Sequence, residues 1–136
     1  MSDMLRAVVF DSNPDVSDYT DLAEQAAQMA GWEAILTRDP DDAVERLAGS
    51  AALIASLWTR DIADAVRTVP VLPAARLIAA SNGQLHVPRL ILSPGLGGRL
   101  LVRPGSQDAV LAKENAGVPD RITDWLRSIE VAGMPR

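Results

Sequence analysis

The side chains able to do chemistry in this chain stand where short apolar runs stop. Asp11 closes Ala7-Val8-Val9-Phe10 and is followed by Ser12-Asn13-Pro14. Ser56 ends Ala52-Leu53-Ile54-Ala55, Ser93 ends Leu90-Ile91-Leu92, and Lys113 ends Ala109-Val110-Leu111-Ala112. An aspartate so placed either ligates a metal ion or caps the next helix and accepts hydrogen bonds from loop amides. Lys113 either binds a phosphate or forms a structural salt bridge with Asp11. Ser56 and Ser93 would need a base to act as nucleophiles. The only histidine, His86, precedes the fourth apolar run, at the opposite end from the serines, which argues against a Ser-His-Asp arrangement. Pro94-Gly95-Leu96-Gly97-Gly98-Arg99 offers amides and a guanidinium to an anion. It lacks the glycine spacing of a nucleotide fingerprint and leads into no helix, so a turn or partner-binding loop is the simpler reading. Cysteine is absent, which removes disulfides, thiolate chemistry and cysteine metal sites, and no cofactor is implied.

The elements that must hold these residues follow from hydrophobic periodicity. The run through Phe10 is short, apolar and partly β-branched, as suits a strand buried on both faces. Val16, Tyr19, Ala23, Ala26 and Ala30 then recur at helical spacing, and Gly31 ends that helix. Trp32-Glu33-Ala34-Ile35-Leu36 predicts a more polar strand nearer an edge. Asp39-Pro40-Asp41-Asp42 predicts a helix start with Asp39 as cap. The run 51–58 predicts a central strand, and residues 61–67 and 73–80 predict a helix broken by Pro70 and Pro73. Residues 87–93 predict the fourth strand, with Pro88 near its start. From Pro94 to Gly105 glycine and proline defeat any helix, and Leu100-Leu101-Val102 predicts an extended segment pairing across a turn with the fifth strand, 109–112. Val118-Pro119-Asp120 opens a last helix with Ile122, Trp125, Leu126 and Ile129 on its inner face. Strands alternating with helices predict a parallel α/β sheet in one domain over residues 1–136.

Val8-Val9-Phe10-Asp11-Ser12-Asn13-Pro14-Asp15 resembles the first strand and acidic loop of a two-component response-regulator receiver domain, where two adjacent acids close that strand. Ser93 stands where that family keeps a Ser or Thr. Ala109 to Lys113 and the helix of Ile122 to Ile129 resemble its fifth strand, terminal lysine and last helix. The resemblance spans Leu5 to Ile129 and implies a flavodoxin-like, receiver-like fold. That is a three-layer α/β/α sandwich with strand order 2-1-3-4-5, here with an irregular fourth helix region.

The departures imply a degenerate receiver, a pseudo-receiver. Ser56 occupies the phosphoacceptor position and Ser12 replaces the second loop acid, so Asp11 remains alone, a weak metal candidate. Lys113 is followed by Glu114 rather than proline. The resemblance therefore implies a non-enzymatic regulatory module that docks partners or dimerises, as in domains fronting pilus-assembly and transcription-regulating proteins. Two alternatives stay open: a phosphoaccepting receiver using Asp11 with a displaced acceptor at Asp61, and a small flavodoxin-like enzyme or anion or nucleotide binder using the Gly95-to-Arg99 loop.

Composition limits the partners. The 136 residues carry net charge −5 and 48% hydrophobic residues, which argues for a folded core and against non-specific nucleic-acid binding. No apolar run reaches the ~20 residues of a membrane span, and no signal-peptide core opens the chain, so a cytoplasmic location is expected. Leu100, Leu101, Val102, Trp125 and Ile129 are expected to form an exposed apolar patch that supports a homodimer, beside an unidentified protein partner. Trp32 and Trp125 are expected to pack inside, with Trp58 the tryptophan nearest a contact surface.

Overall fold

The computed structural model describes residues 4–11, 18–67, 69–82, 87–113 and 119–133. Five strands form one parallel sheet: β1 (Arg6–Asp11), β2 (Glu33–Thr37), β3 (Ala52–Ser56), β4 (Arg89–Ser93) and β5 (Ala109–Ala112), in the order β2-β1-β3-β4-β5. The expected topology and strand order are therefore present. The helices are α1 (Asp18–Ala30), α2 (Pro40–Leu47), α3 (Thr59–Ala65), α4 (Pro73–Asn82) and α5 (Asp120–Gly133). None of the described helices is long and apolar enough to cross a membrane. Ser12, His86 and Glu114 lie outside the described residues.

Alternation along the strands divides the interior into two cores. Ala7, Val9, Ile54, Leu90, Leu92 and Leu111 face α1 and α5, packing with Ala23, Ala26, Ile122, Trp125 and Leu126. The alanines of α1 bring its backbone close to the sheet. Val8, Phe10, Leu53, Ala55 and Ile91 face the other way, against Leu47, Ile62, Leu77 and Ile78. β1 and β3 are buried almost throughout because helices cover both sheet faces, whereas β2 is partly exposed as an edge strand. Asp39 caps α2, its carboxylate accepting from the Asp41 amide at 3.0 Å.

Residues 59–82 form the interrupted crossover that the prolines predicted. Asp64 spans the break: its carboxylate accepts from the amides of Val71 and Leu72 at 2.8 and 2.7 Å, just before α4 starts at Pro73. The next connection corrects the sequence expectation. Leu100-Leu101-Val102 does not pair with β5; Gly97–Leu101 is a 3-10 turn, and β5 pairs with β4. Glycine is the reason. A Cβ on Gly98 would stand 2.7 Å from Ile91 Cγ2 and 2.9 Å from Val110 Cγ2, so only glycine lets this turn lie directly on the sheet.

The turn carries Leu101 inward, leaving it 7% exposed in the α3–α4 core, while Leu100 is 71% exposed. Trp125 and Ile129 are buried in the α1–α5 core. The expected patch of Leu100, Leu101, Val102, Trp125 and Ile129 is thus not assembled: Leu100 is exposed, Val102 half-buried, and the other three point inside.

Candidate functional site

Parallel strands bring Asp11, Ser56 and Lys113 to the same edge of the sheet. Asp11 lies in register with Ser56, and Lys113 follows the last residue of β5. All three are buried, at 3%, 3% and 7% exposure. Their side chains face α1 and α5, since Val9, Ile54 and Leu111, two residues earlier in each strand, line that core.

Lys113 is the centre of this group. Its ammonium lies 3.4 Å from the centroid of the Trp58 ring and 5.1 Å from that of Tyr19, and it makes no hydrogen bond within the described residues. An aromatic face attracts a cation through its quadrupole, by about 2 kcal/mol where water is excluded. Burial pushes the Lys113 pKa below the usual lysine range, and the carboxylates of Asp11 and Asp61 oppose that shift. The ammonium is thus held on an indole without a hydrogen bond among the described residues, and the expected charge pairing with Asp11 acts through space, joined by Asp61. Trp58 can supply this face because it stands just past β3, immediately before α3.

The acids are engaged locally. Asp11 accepts from the Thr20 hydroxyl at 3.5 Å. Asp61, 2% exposed, accepts from the Trp58 amide at 2.9 Å and so fixes the start of α3. Ser56 Oγ is buried with no hydrogen-bond partner in the described structure. Among the described residues no cluster of three His, Cys, Asp or Glu side chains is arranged to hold a metal ion.

Ser93 does not join the group. Its side chain points to the α3–α4 face, where its hydroxyl donates to the Gly95 carbonyl at 3.2 Å and accepts from the Gly98 amide at 3.0 Å. Ser93 therefore pins the 3-10 turn. In the Gly95-to-Arg99 loop the Gly98 amide is spent on Ser93 and the Arg99 amide on the Leu96 carbonyl, so two of the loop's amides are already engaged.

The sequence reading missed a buried ionic network at the other end of β4 and β5. Arg89, fully buried, donates to Asp108 from its amide at 3.0 Å and its guanidinium at 3.1 Å, and also to the Ile78 and Leu101 carbonyls and the Ser81 hydroxyl. Arg103 donates to the same carboxylate at 2.8 and 2.9 Å and to the Val87 carbonyl at 2.7 Å. Hydrogen bonds from Arg103 and the charge of Arg89 outweigh burial and hold the Asp108 carboxyl well below the usual carboxylate range. The signal was present as an arginine inside an otherwise apolar strand, which requires an anionic partner. The network ties α4, the 3-10 turn, β4 and β5 together.

No protein-family model matches the chain, and no curated protein matches it in sequence. Solved structures do match in fold. A response regulator receiver domain protein (CheY-like) from Methanospirillum hungatei JF-1 is 13% identical with a TM-score of 0.62, over 96% of this chain and all (100%) of that one. The signal receiver domain of an HD domain-containing protein from Pseudomonas fluorescens Pf-5 is 15% identical with a TM-score of 0.64, over 96% and 97% of the two chains. A de novo designed Rossmann 2x3 fold protein also matches, at 15% identity, a TM-score of 0.59 and coverage of 92% and 91%. The likeness is one of fold: the chain has the CheY-like receiver fold, and function must be argued from its site.

Proposed function

We propose that this chain is a receiver-like regulatory module that takes up no phosphate and acts by presenting its surface to a protein partner. One observation carries the reading: at the strand ends where a receiver would be phosphorylated, Ser56 faces Asp11 and the Lys113 ammonium rests on Trp58. A serine hydroxyl cannot form the acyl phosphate of an aspartate, and at the end of β1 Asp11 offers magnesium a single carboxylate whose charge the Lys113 ammonium already offsets. The aromatic clamp occupies Lys113 without a phosphoryl group.

The alternatives find less support. Asp61 as a displaced acceptor is buried and bound to the backbone of its own helix start. An anion site in the Gly95-to-Arg99 loop competes with Ser93 and the loop's own carbonyls for its amides. The test is intact-mass analysis after incubation with acetyl phosphate and magnesium. The mass is expected to stay unchanged; a stoichiometric phosphoryl adduct on Asp11 or Asp61 would overturn the reading.

A further inference from the structure

Charge is unevenly distributed along this chain. Residues 58–107 carry six arginines and two acids, although the whole chain has 13 basic and 18 acidic residues. Both acids are turned inward, Asp61 onto the Trp58 amide and Asp64 onto the amides of Val71 and Leu72. Arg89 and Arg103 are consumed by Asp108. The four remaining arginines, Arg60, Arg67, Arg76 and Arg99, are exposed. This region therefore shows solvent a basic face on an acidic molecule.

The same face carries unburied apolar groups. Val66, Val69 and Val71 are 52%, 72% and 56% exposed, all in the connection between α3 and α4. Beside them a depression of about 440 Å³ is lined by Ala63, Val71 and Leu72, by Asp64, whose carboxylate is turned onto the Val71 and Leu72 amides, and by Arg60 and Arg67. The two arginine side chains are 72% and 64% exposed, and their ion-pair contacts to Asp61 and Asp64 are long, at 3.9 and 3.6 Å. Arg60 stands in the first turn of α3 and Arg67 two residues past its last residue, Ala65, so the pair brackets the helix.

We propose that this groove docks an acidic, amphipathic helical segment of a partner protein, one apolar side chain seated against Ala63, Val71 and Leu72 and carboxylates meeting Arg60 and Arg67. The proposal rests on the interaction-module reading and names its partner class. Charge complementarity selects an acidic occupant, because the two exposed charges lining the groove are arginines and the lining acid, Asp64, is buried on backbone amides.

The test titrates the 15N-labelled chain with a synthetic helix-forming peptide of Glu and Leu at amphipathic spacing, beside the same peptide with Lys for Glu. Saturable amide shifts are expected at Ala63, Asp64, Val71 and Leu72, with at least tenfold weaker binding for the Arg60→Gln/Arg67→Gln variant, whose exposed substitutions leave the spectrum folded. No shifts, shifts elsewhere, or equal binding of the Lys peptide would overturn the proposal. So would binding of phosphatidylserine vesicles in place of the peptide, or salt-sensitive self-association that the same variant abolishes, since these give the face to lipid or to a second copy. A chain that binds the peptide yet labels with acetyl phosphate loses only the phosphate-free reading; one that does neither loses only this proposal.

Discussion

Replacing Asp108 tests the buried network at the amino ends of β4 and β5. Its carboxylate accepts six hydrogen bonds, three from Arg89 and three from Arg103. The Asp108 and Arg89 side chains are 0% and 1% exposed, and that of Arg103 is 24% exposed. In Asp108→Ala the Arg89 guanidinium keeps only the Ile78 and Leu101 carbonyls and the Ser81 hydroxyl, with no negative charge to balance it. Removing one partner of a buried ion pair costs about 3–5 kcal/mol, a large share of the roughly 5–15 kcal/mol that holds a domain together. Urea unfolding followed by circular dichroism near neutral pH should show a loss of that size. The pH dependence gives a second reading. Because the folded pKa lies below the ordinary 3.8, the carboxylate's contribution is fully present above that value and is lost as pH falls through the folded pKa. The gap between wild type and Asp108→Ala should therefore shrink in acid, by up to about 1.4 kcal/mol per pH unit. A loss under about 1 kcal/mol near neutrality, or a gap unchanged down to about pH 2, would refute the network as an energetic unit.

Gly98→Ala should destabilise by about 1–3 kcal/mol in the same melts through overpacking against Ile91 and Val110, while Gly97→Ala, whose added Cβ meets nothing nearer than Ile62 Cδ1 at 3.9 Å, should cost far less. Leu101→Glu should destabilise the fold by burying a carboxylate, by at least about 2 kcal/mol, whereas Leu100→Glu should leave the urea midpoint unchanged because Leu100 already faces solvent. The Lys113 pKa is lowered, so the folded chain releases this proton before the unfolded chain does, and stability should rise as pH climbs from the folded pKa toward the ordinary 10.5. Lys113→Met should lack that alkaline rise, and an unchanged alkaline profile would place the ammonium in solvent.

The sheet was legible because its signals are local and repeated. The five main apolar runs became the five strands, and Pro70 with Pro73 marked the broken crossover. The clustering of Asp11, Ser56 and Lys113 followed from strand ends alone, since parallel strands bring their carboxyl ends to one edge. Three features needed the third dimension. Trp58 is an aromatic just past a strand, and nothing in its neighbours says that a lysine 55 positions later will lie on its ring. Leu100 to Val102 looks extended by residue type, but the fit of Gly98 between Ile91 and Val110 decides for a turn. Arg89 calls for an anion by its residue type alone, but only the parallel register, which sets it opposite Asp108 one step before the Leu90–Ala109 pair, shows which one.

The most direct test of the central claim is a pair of amide NMR spectra of the 15N-labelled chain, recorded with magnesium and with or without beryllofluoride, which mimics an acyl phosphate. A receiver-like module whose strand-end site is filled by the Lys113–Trp58 contact should give superimposable spectra. Saturable, magnesium-dependent shifts centred on Asp11, Ser56 and Lys113 would contradict the account, because they would show that the edge still binds a phosphoryl group.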